Sequence, residues 1–168
     1  MALKDLFTQS LNQAFPSRLP GTAYGWDTSS INKEVQLDPA VAETVELLPS
    51  MAVKLSGKAG QVKYVEPVTS DSDVPYGYII YKAKALGSTV KFNRMFTVAR
   101  FGQEMAFAFK TAIRAGDKVY VDPADGFATS SDSGTILVGL AVETVADATD
   151  AAPVVATVEI QCPTVQTI

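Results

Sequence analysis

Between Gln103 and Lys110 the chain reads Met105-Ala-Phe-Ala-Phe109, with large apolar side chains alternating with alanine and nothing polar among them. A strand turns successive side chains to opposite faces, so Met105, Phe107 and Phe109 line one face and Ala106 and Ala108 the other. Both faces are apolar, so both need cover, which a sheet with one face in water does not provide. The segment predicts a strand enclosed in a sandwich or barrel.

The surrounding residues repeat this grammar. Residues 31–37, 51–55, 61–65, 77–84 and 95–101 are strand candidates, several of them rich in Val, Ile and Tyr. In 51–55, Met51, Val53 and Leu55 alternate with Ala52 and Lys54. Residues 38–48 stay open: Asp38-Pro39 followed by Glu43 suits a short helix, while Val41 and Val45 argue equally for a strand. The last third is the most regular. Lys118-Val-Tyr-Val-Asp122 runs into Asp122-Pro-Ala-Asp-Gly126, which fits a type I turn closed by a glycine able to take positive φ. Residues 127–129, 135–145 and 154–161 then alternate as strands. In 135–145, Ile136, Val138, Leu140 and Val142 are expected on one face, with Leu137, Gly139, Ala141 and Glu143 opposite. The small Gly139 and Ala141 allow a second backbone to approach closely. The reading is a mostly β chain, a small barrel or sandwich of about eight to ten short strands. No internal repeat is visible.

The N-terminus differs. Leu3, Leu6, Phe7, Leu11, Ala14 and Phe15 recur at three- and four-residue spacings, an amphipathic helix pattern stopped by Pro16. A helix this short is marginal alone and must dock, on its own domain or on a neighbouring subunit. Pro16-Ser-Arg-Leu-Pro-Gly-Thr22 reads as a linker. The expected organisation is an N-terminal helical or extended arm and linker over residues 1–30, a β-domain over 31–162 and a tail over 163–168.

Composition excludes more chemistry than it suggests. There is no histidine, which removes the commonest general base and imidazole metal ligands. The lone Cys162 cannot form an intrachain disulfide or a thiolate metal site. The pairs Asp71/Asp73, Asp122/Asp125 and Asp147/Asp150 lie among turn residues, where Asp bonds its own backbone. No phosphate-cradling glycine motif is present. The expectation is no enzyme, no cofactor and no metal. A net charge of −4 without a basic run argues against nucleic acid. No stretch approaches a membrane span, and residues 1–7 lack a signal-peptide apolar core, so synthesis in the cytoplasm is expected. Only 19% of residues are charged, below the roughly 25% of ordinary domains, which suits equally a surface partly covered by a partner and a strand-rich protein with a polar, Thr/Ser-heavy surface.

The ordered series Ala115-Gly-Asp-Lys-Val-Tyr-Val-Asp-Pro-Ala-Asp-Gly126, Gly134-Thr-Ile-Leu-Val-Gly-Leu-Ala-Val142 and residues 154–160 resembles the structural cement proteins of tailed-phage heads. Pro20-Gly21, Leu48-Pro-Ser-Met-Ala-Val-Lys54 and the strand at 77–81 are similar to the same family's opening pattern, so the likeness covers about residues 20–161. Where that family has Phe-Gly, this chain has Ser50-Met51. The resemblance implies a decoration protein on the outer surface of an assembled head, made in the host cytoplasm. It implies a homotrimer that clamps neighbouring major capsid subunits. For that role the candidate contact residues are Leu6, Phe7, Leu11 and Phe15 in the arm, with Tyr24 and Trp26 in the linker, because buried aromatic and aliphatic anchors dominate interfaces. The alternative is a carbohydrate-binding or adhesive β-module on the virion surface, using exposed aromatics as its platform.

Overall fold

The computed structural model describes residues 2–6, 19–24, 32–42, 44–81 and 95–161. Among them are eleven strands: β1 (Ala23–Tyr24), β2 (Asn32–Leu37), β3 (Ala52–Leu55), β4 (Tyr64–Pro67), β5 (Gly77–Ile79), β6 (Met95–Ala99), β7 (Glu104–Phe109), β8 (Lys118–Val121), β9 (Ala128–Thr129), β10 (Ile136–Ala141) and β11 (Val154–Ile160). The expected mostly β architecture is present as two small barrels. Strands β2-β4-β3-β5-β6 close into the first. The second runs β7-β11-β10-β8-β9 and is closed by a parallel pairing of β9 with β7, with β1 added outside β7.

The barrels share one pairing scheme. In the first, β2 pairs in parallel with β4 and antiparallel with β6, β3 pairs with β4 and β5, and β5 with β6. Replacing β2 through β6 by β7 through β11 in order reproduces every pairing in the second. The registers agree as well. Leu37 opposite Val65 corresponds to Phe109 opposite Ala128, and Tyr78 opposite Ala99 corresponds to Leu140 opposite Glu159. Val53 opposite Gly77 corresponds to Val119 opposite Gly139. The fold is therefore an internal repeat that the residue types do not display. The connections differ in length, and side-chain identity is retained at few positions, notably the pair Gly77 and Gly139.

Those two glycines have a common cause. A Cβ on Gly77 would lie 2.8 Å from the Ala99 carbonyl oxygen, and one on Gly139 would lie 1.9 Å from the Glu159 carbonyl oxygen. Each barrel thus closes by pressing the carbonyl of its last strand onto a glycine of the strand before. The close backbone approach expected at Gly139 comes from a strand of its own barrel.

The enclosed strand is β7, where Met105, Ala106, Phe107, Ala108 and Phe109 are all fully buried. Its large side chains fill the second barrel together with Val119, Val121, Val138 and Ile160. That cluster also takes in Ala52, Val68, Tyr78 and Ala99 of the first barrel, so the two units share a core. At the junction the Tyr78 ring meets Phe107 edge-on, with centroids 5.5 Å apart, and its hydroxyl donates to the Leu137 carbonyl at 3.2 Å. The first barrel has its own interior of Val35, Leu37, Leu47, Val53, Val65, Ile79 and Val98.

Two expectations are corrected and one open reading is resolved. The face Ile136, Val138, Leu140, Val142 does not persist, because a register shift between Leu137 and Gly139 adds a residue to β10. Beyond this bulge the inward position passes to Ala141, 4% exposed, and Val142 is 44% exposed. Leu55 does not share the burial of Val53: it ends β3 at 49% exposure. Residues 38–48 are neither helix nor strand among those described. Asp38 instead makes a turn, accepting from the Ala40 N–H at 2.9 Å, while the Val41 N–H donates to its carbonyl.

The amphipathic helix expected over residues 1–15 is described as one helical turn, residues 3–6. There is no projecting arm among the described N-terminal residues. Leu3 is 3% exposed and packs with Leu48, Ala108 and Phe127. Further on, the Gly21 N–H donates to the Ala106 carbonyl and the Ala106 N–H to the Thr22 carbonyl, adding this segment to β7.

The space around each glycine predicts unequal costs of substitution at two neighbouring positions. Gly139→Ala is expected to destabilise by about 3 kcal/mol or more, since the Glu159 backbone must move. Gly134→Ala, with φ +70 but nothing within 4 Å of the added carbon, is expected to cost only about 1 kcal/mol. Urea denaturation of both variants checks this.

Candidate docking surface

The described anchors expected from the sequence belong to the chain's own fold. Leu6 is half-buried against the Leu3, Leu48 and Phe127 cluster. Tyr24 is half-buried in β1 opposite Glu104. Phe7, Leu11, Phe15 and Trp26 lie outside the described residues, as does the Lys91-Phe-Asn-Arg94 stretch.

The residue that fixes this N-terminal segment is Gln103, 1% exposed and immediately before β7. Its Nε2 donates to the Tyr24 carbonyl at 2.7 Å and the Glu104 carbonyl at 2.8 Å. Its Oε1 accepts from Asn32 Nδ2 at 2.9 Å. One amide thereby ties β1, the start of β2 and the start of β7 together. A polar residue flanking a wholly apolar strand was the available signal.

Two exposed apolar side chains share one hollow elsewhere. Val74 is 59% exposed and Leu55 49%, and they line a hollow with Lys54, Pro75, Tyr76 and Arg100. Val74 and Pro75 also border a second hollow, against Tyr120, Ile136 and Leu137 of the other barrel. Val74 therefore stands on a crest between two depressions, beside the junction of the barrels. An apolar residue inside a polar loop, Thr69-Ser-Asp-Ser-Asp-Val-Pro75, is how the sequence marks it.

Polar contacts hold the crest in shape. Asp73 accepts from the Thr69 N–H at 3.1 Å and the Ser70 N–H at 3.2 Å, closing the loop on itself. Its other oxygen pairs with Lys54 Nζ at 2.8 Å, and Lys54 also reaches Glu66 at 3.5 Å. The Lys54 ammonium, followed by those backbone donors, holds the Asp73 carboxyl below the ordinary carboxylate range. Asp73 in turn raises Lys54. The Arg100 guanidinium stacks 4.4 Å from the centre of the Tyr76 ring and donates through Nε to the Tyr76 carbonyl at 2.9 Å. An apolar centre with an ordered charged margin is the anatomy of a protein contact patch.

The Asp122/Asp125 pair is engaged in a turn. Asp122 Oδ1 accepts from the Ala124 N–H at 2.8 Å and Asp125 Oδ1 from the Phe127 N–H at 2.9 Å. Lys110 pairs with Asp125 and lies 3.8 Å from Asp150. Among the described residues no group of three His, Cys, Asp or Glu is placed to hold a metal ion. No helix of the described residues is long and apolar enough to cross a membrane. No protein-family model matches the chain, and no curated protein sequence matches it.

The shifts at Asp73 and Lys54 predict a pH dependence with a definite sign. A lowered carboxyl stabilises above its unfolded pKa, and the contribution disappears as pH falls through the folded value. A raised ammonium stabilises below its unfolded pKa, and its contribution is lost as pH rises through the folded value. Asp73→Asn is expected to cost about 1 kcal/mol at pH 7, reduced by partial exposure, and progressively less as pH falls below the ordinary carboxylate range. Thermal unfolding of both proteins from pH 2 to 7 reads the converging stabilities.

Proposed function

We propose that this chain is a capsid cement protein that binds the outer surface of an assembled tailed-phage head and clamps neighbouring major capsid subunits. The reading rests on the residue series that resembles the cement proteins, and one observation supports it most. That series falls on consecutive parts of a single unit: β8 with its Asp122–Gly126 turn, then β10, then β11. The upstream pieces also meet. A Cβ on Gly21 would lie 2.5 Å from the Pro49 Cβ, and the Tyr81 N–H donates to the Gly21 carbonyl. A series scattered over unrelated surfaces would offer less support.

The attachment surface in this reading is the Leu55–Val74–Tyr76–Arg100 patch. Because Asp73 and Lys54 order it beforehand, less conformational entropy is lost on docking. Covering Leu55 and Val74 contributes at roughly 25 cal/mol per Å² of apolar area removed from water. A single small patch gives weak affinity. Joined copies, a homotrimer in this proposal, make the later contacts intramolecular and sum them into firm attachment. Binding the assembled shell in preference to free subunits then stabilises the shell by mass action.

The test is a binding experiment with purified expanded heads assembled from the capsid protein of the same virus. Saturable occupancy and a higher head disruption temperature are expected; failure to co-sediment with heads overturns the reading. Leu55→Asp with Val74→Asp is expected to lower occupancy about tenfold or more, equivalent to at least about 1.4 kcal/mol. The unfolding temperature should stay nearly unchanged, because both side chains are already exposed. Deleting residues 1–15 is a poorer test, since it removes the buried Leu3.

A further inference from the structure

The two barrels differ at one matching edge. In the second barrel β9 reaches only the end of β7, at Phe109, and leaves the earlier part of that edge open. The chain closes it with its own segment, as the Ala106 N–H and carbonyl bond Thr22 and Gly21. In the first barrel β4 likewise reaches only the end of β2, at Gln36 and Leu37. By register Glu34 is the counterpart of Ala106. The Gln36 N–H donates to the Lys63 carbonyl and the Asp38 N–H to the Val65 carbonyl, so even-numbered residues of β2 turn their backbone groups to the β4 side. The Glu34 N–H and carbonyl face that side too, beyond the end of β4. Among the described residues nothing pairs with them there, and Lys33 and Glu34 are both exposed.

The geometry points to this β2 edge, Asn32 to Glu34, as a strand-addition site that takes an extended segment of the capsid subunit, as the β7 edge takes β1. Main-chain bonds supply such an interaction, and flanking side chains set its specificity. The charges argue against a second copy of this chain. Two copies paired antiparallel about a twofold centred on this edge would set Lys33 against Lys33 or Glu34 against Glu34, which repels. A foreign strand with an acidic residue opposite Lys33 and a basic one opposite Glu34 meets no such conflict. This inference rests on the cement reading and adds its mode of contact.

Hydrogen exchange of the free protein comes first, because Ala106 is an internal control. The Glu34 amide should exchange at least about a hundredfold faster than that of Ala106 and slow markedly on heads. Protection of Glu34 in the free protein would mean that the edge is already closed, which overturns the inference. Glu34→Pro removes the outward N–H without breaking a ladder bond to β6. It should fold with little change in unfolding temperature yet lose head occupancy about tenfold or more, while Glu34→Ala, which keeps the N–H, binds like the parent chain. Undiminished binding by Glu34→Pro sinks the strand-addition site and leaves the cement reading standing. No binding by the parent chain sinks both. A change in oligomeric state of free Glu34→Pro would assign the edge to a second copy and overturn the capsid strand.

Discussion

Strand β7 has no side turned to water, and the rest of the molecule is arranged to make that tolerable. Met105, Phe107 and Phe109 need a barrel interior on one face, while Ala106 and Ala108 need close cover on the other. Residues 3–6, Leu48 and Phe127 supply part of that second cover. Burying a strand on both faces also commits its edges, because an unpaired backbone group away from water costs about as much as a lost hydrogen bond. β11 takes one edge, and β9 and the Thr22–Tyr24 segment divide the other. The N-terminal segment is therefore structural in the part described.

The first barrel shows what happens when the same scheme meets a different strand. β2 is Asn-Lys-Glu-Val-Gln-Leu, and only Val35 and Leu37 are fully inside. With Lys33 and Glu34 in solvent, its leading edge is hydrated and needs no covering segment. Charged residues on an open edge also discourage indiscriminate strand pairing. Both barrels follow one topology, but the apolar content of the leading strand decides which edge the chain must close itself.

The features legible in the sequence were those decided by neighbours a few residues away. The alternation in β7 is a local pattern, and so is the Asp122–Gly126 turn, where Gly126 has φ 76 and its N–H donates to the Asp122 carbonyl. Features set by distant partners were not legible. The bulge that turns Val142 outward depends on how β10 registers against β8. Leu55 alternates with the right period for burial but stands at the end of β3, where its neighbours stop. The internal repeat is carried by pairings between residues far apart, and few matching positions, Gly77 with Gly139 and Val53 with Val119 among them, keep the same residue. The candidate surface divided in the same way. The N-terminal apolar residues could be read as docking at home or on a neighbour because a periodic stripe does not say what it packs against, and Val74, an apolar residue next to the polar loop, was not singled out.

The polar loops explain why a chain with so little charge keeps its surface in order. Asp38, Asp73, Asp122 and Asp125 each accept backbone N–H bonds in a turn, and Asp73 and Asp125 also hold a lysine from another part of the chain. A carboxylate used this way is a structural element that closes its own turn. The same chemistry makes the Val74 crest rigid: its loop is closed by Asp73 and pinned to β3 through Lys54. A protein that grips a large repetitive surface benefits from that rigidity, because every contact ordered in advance lowers the entropy lost on docking. In the proposed cement role that loss recurs with each copy bound, so preorganisation at one loop counts once per copy.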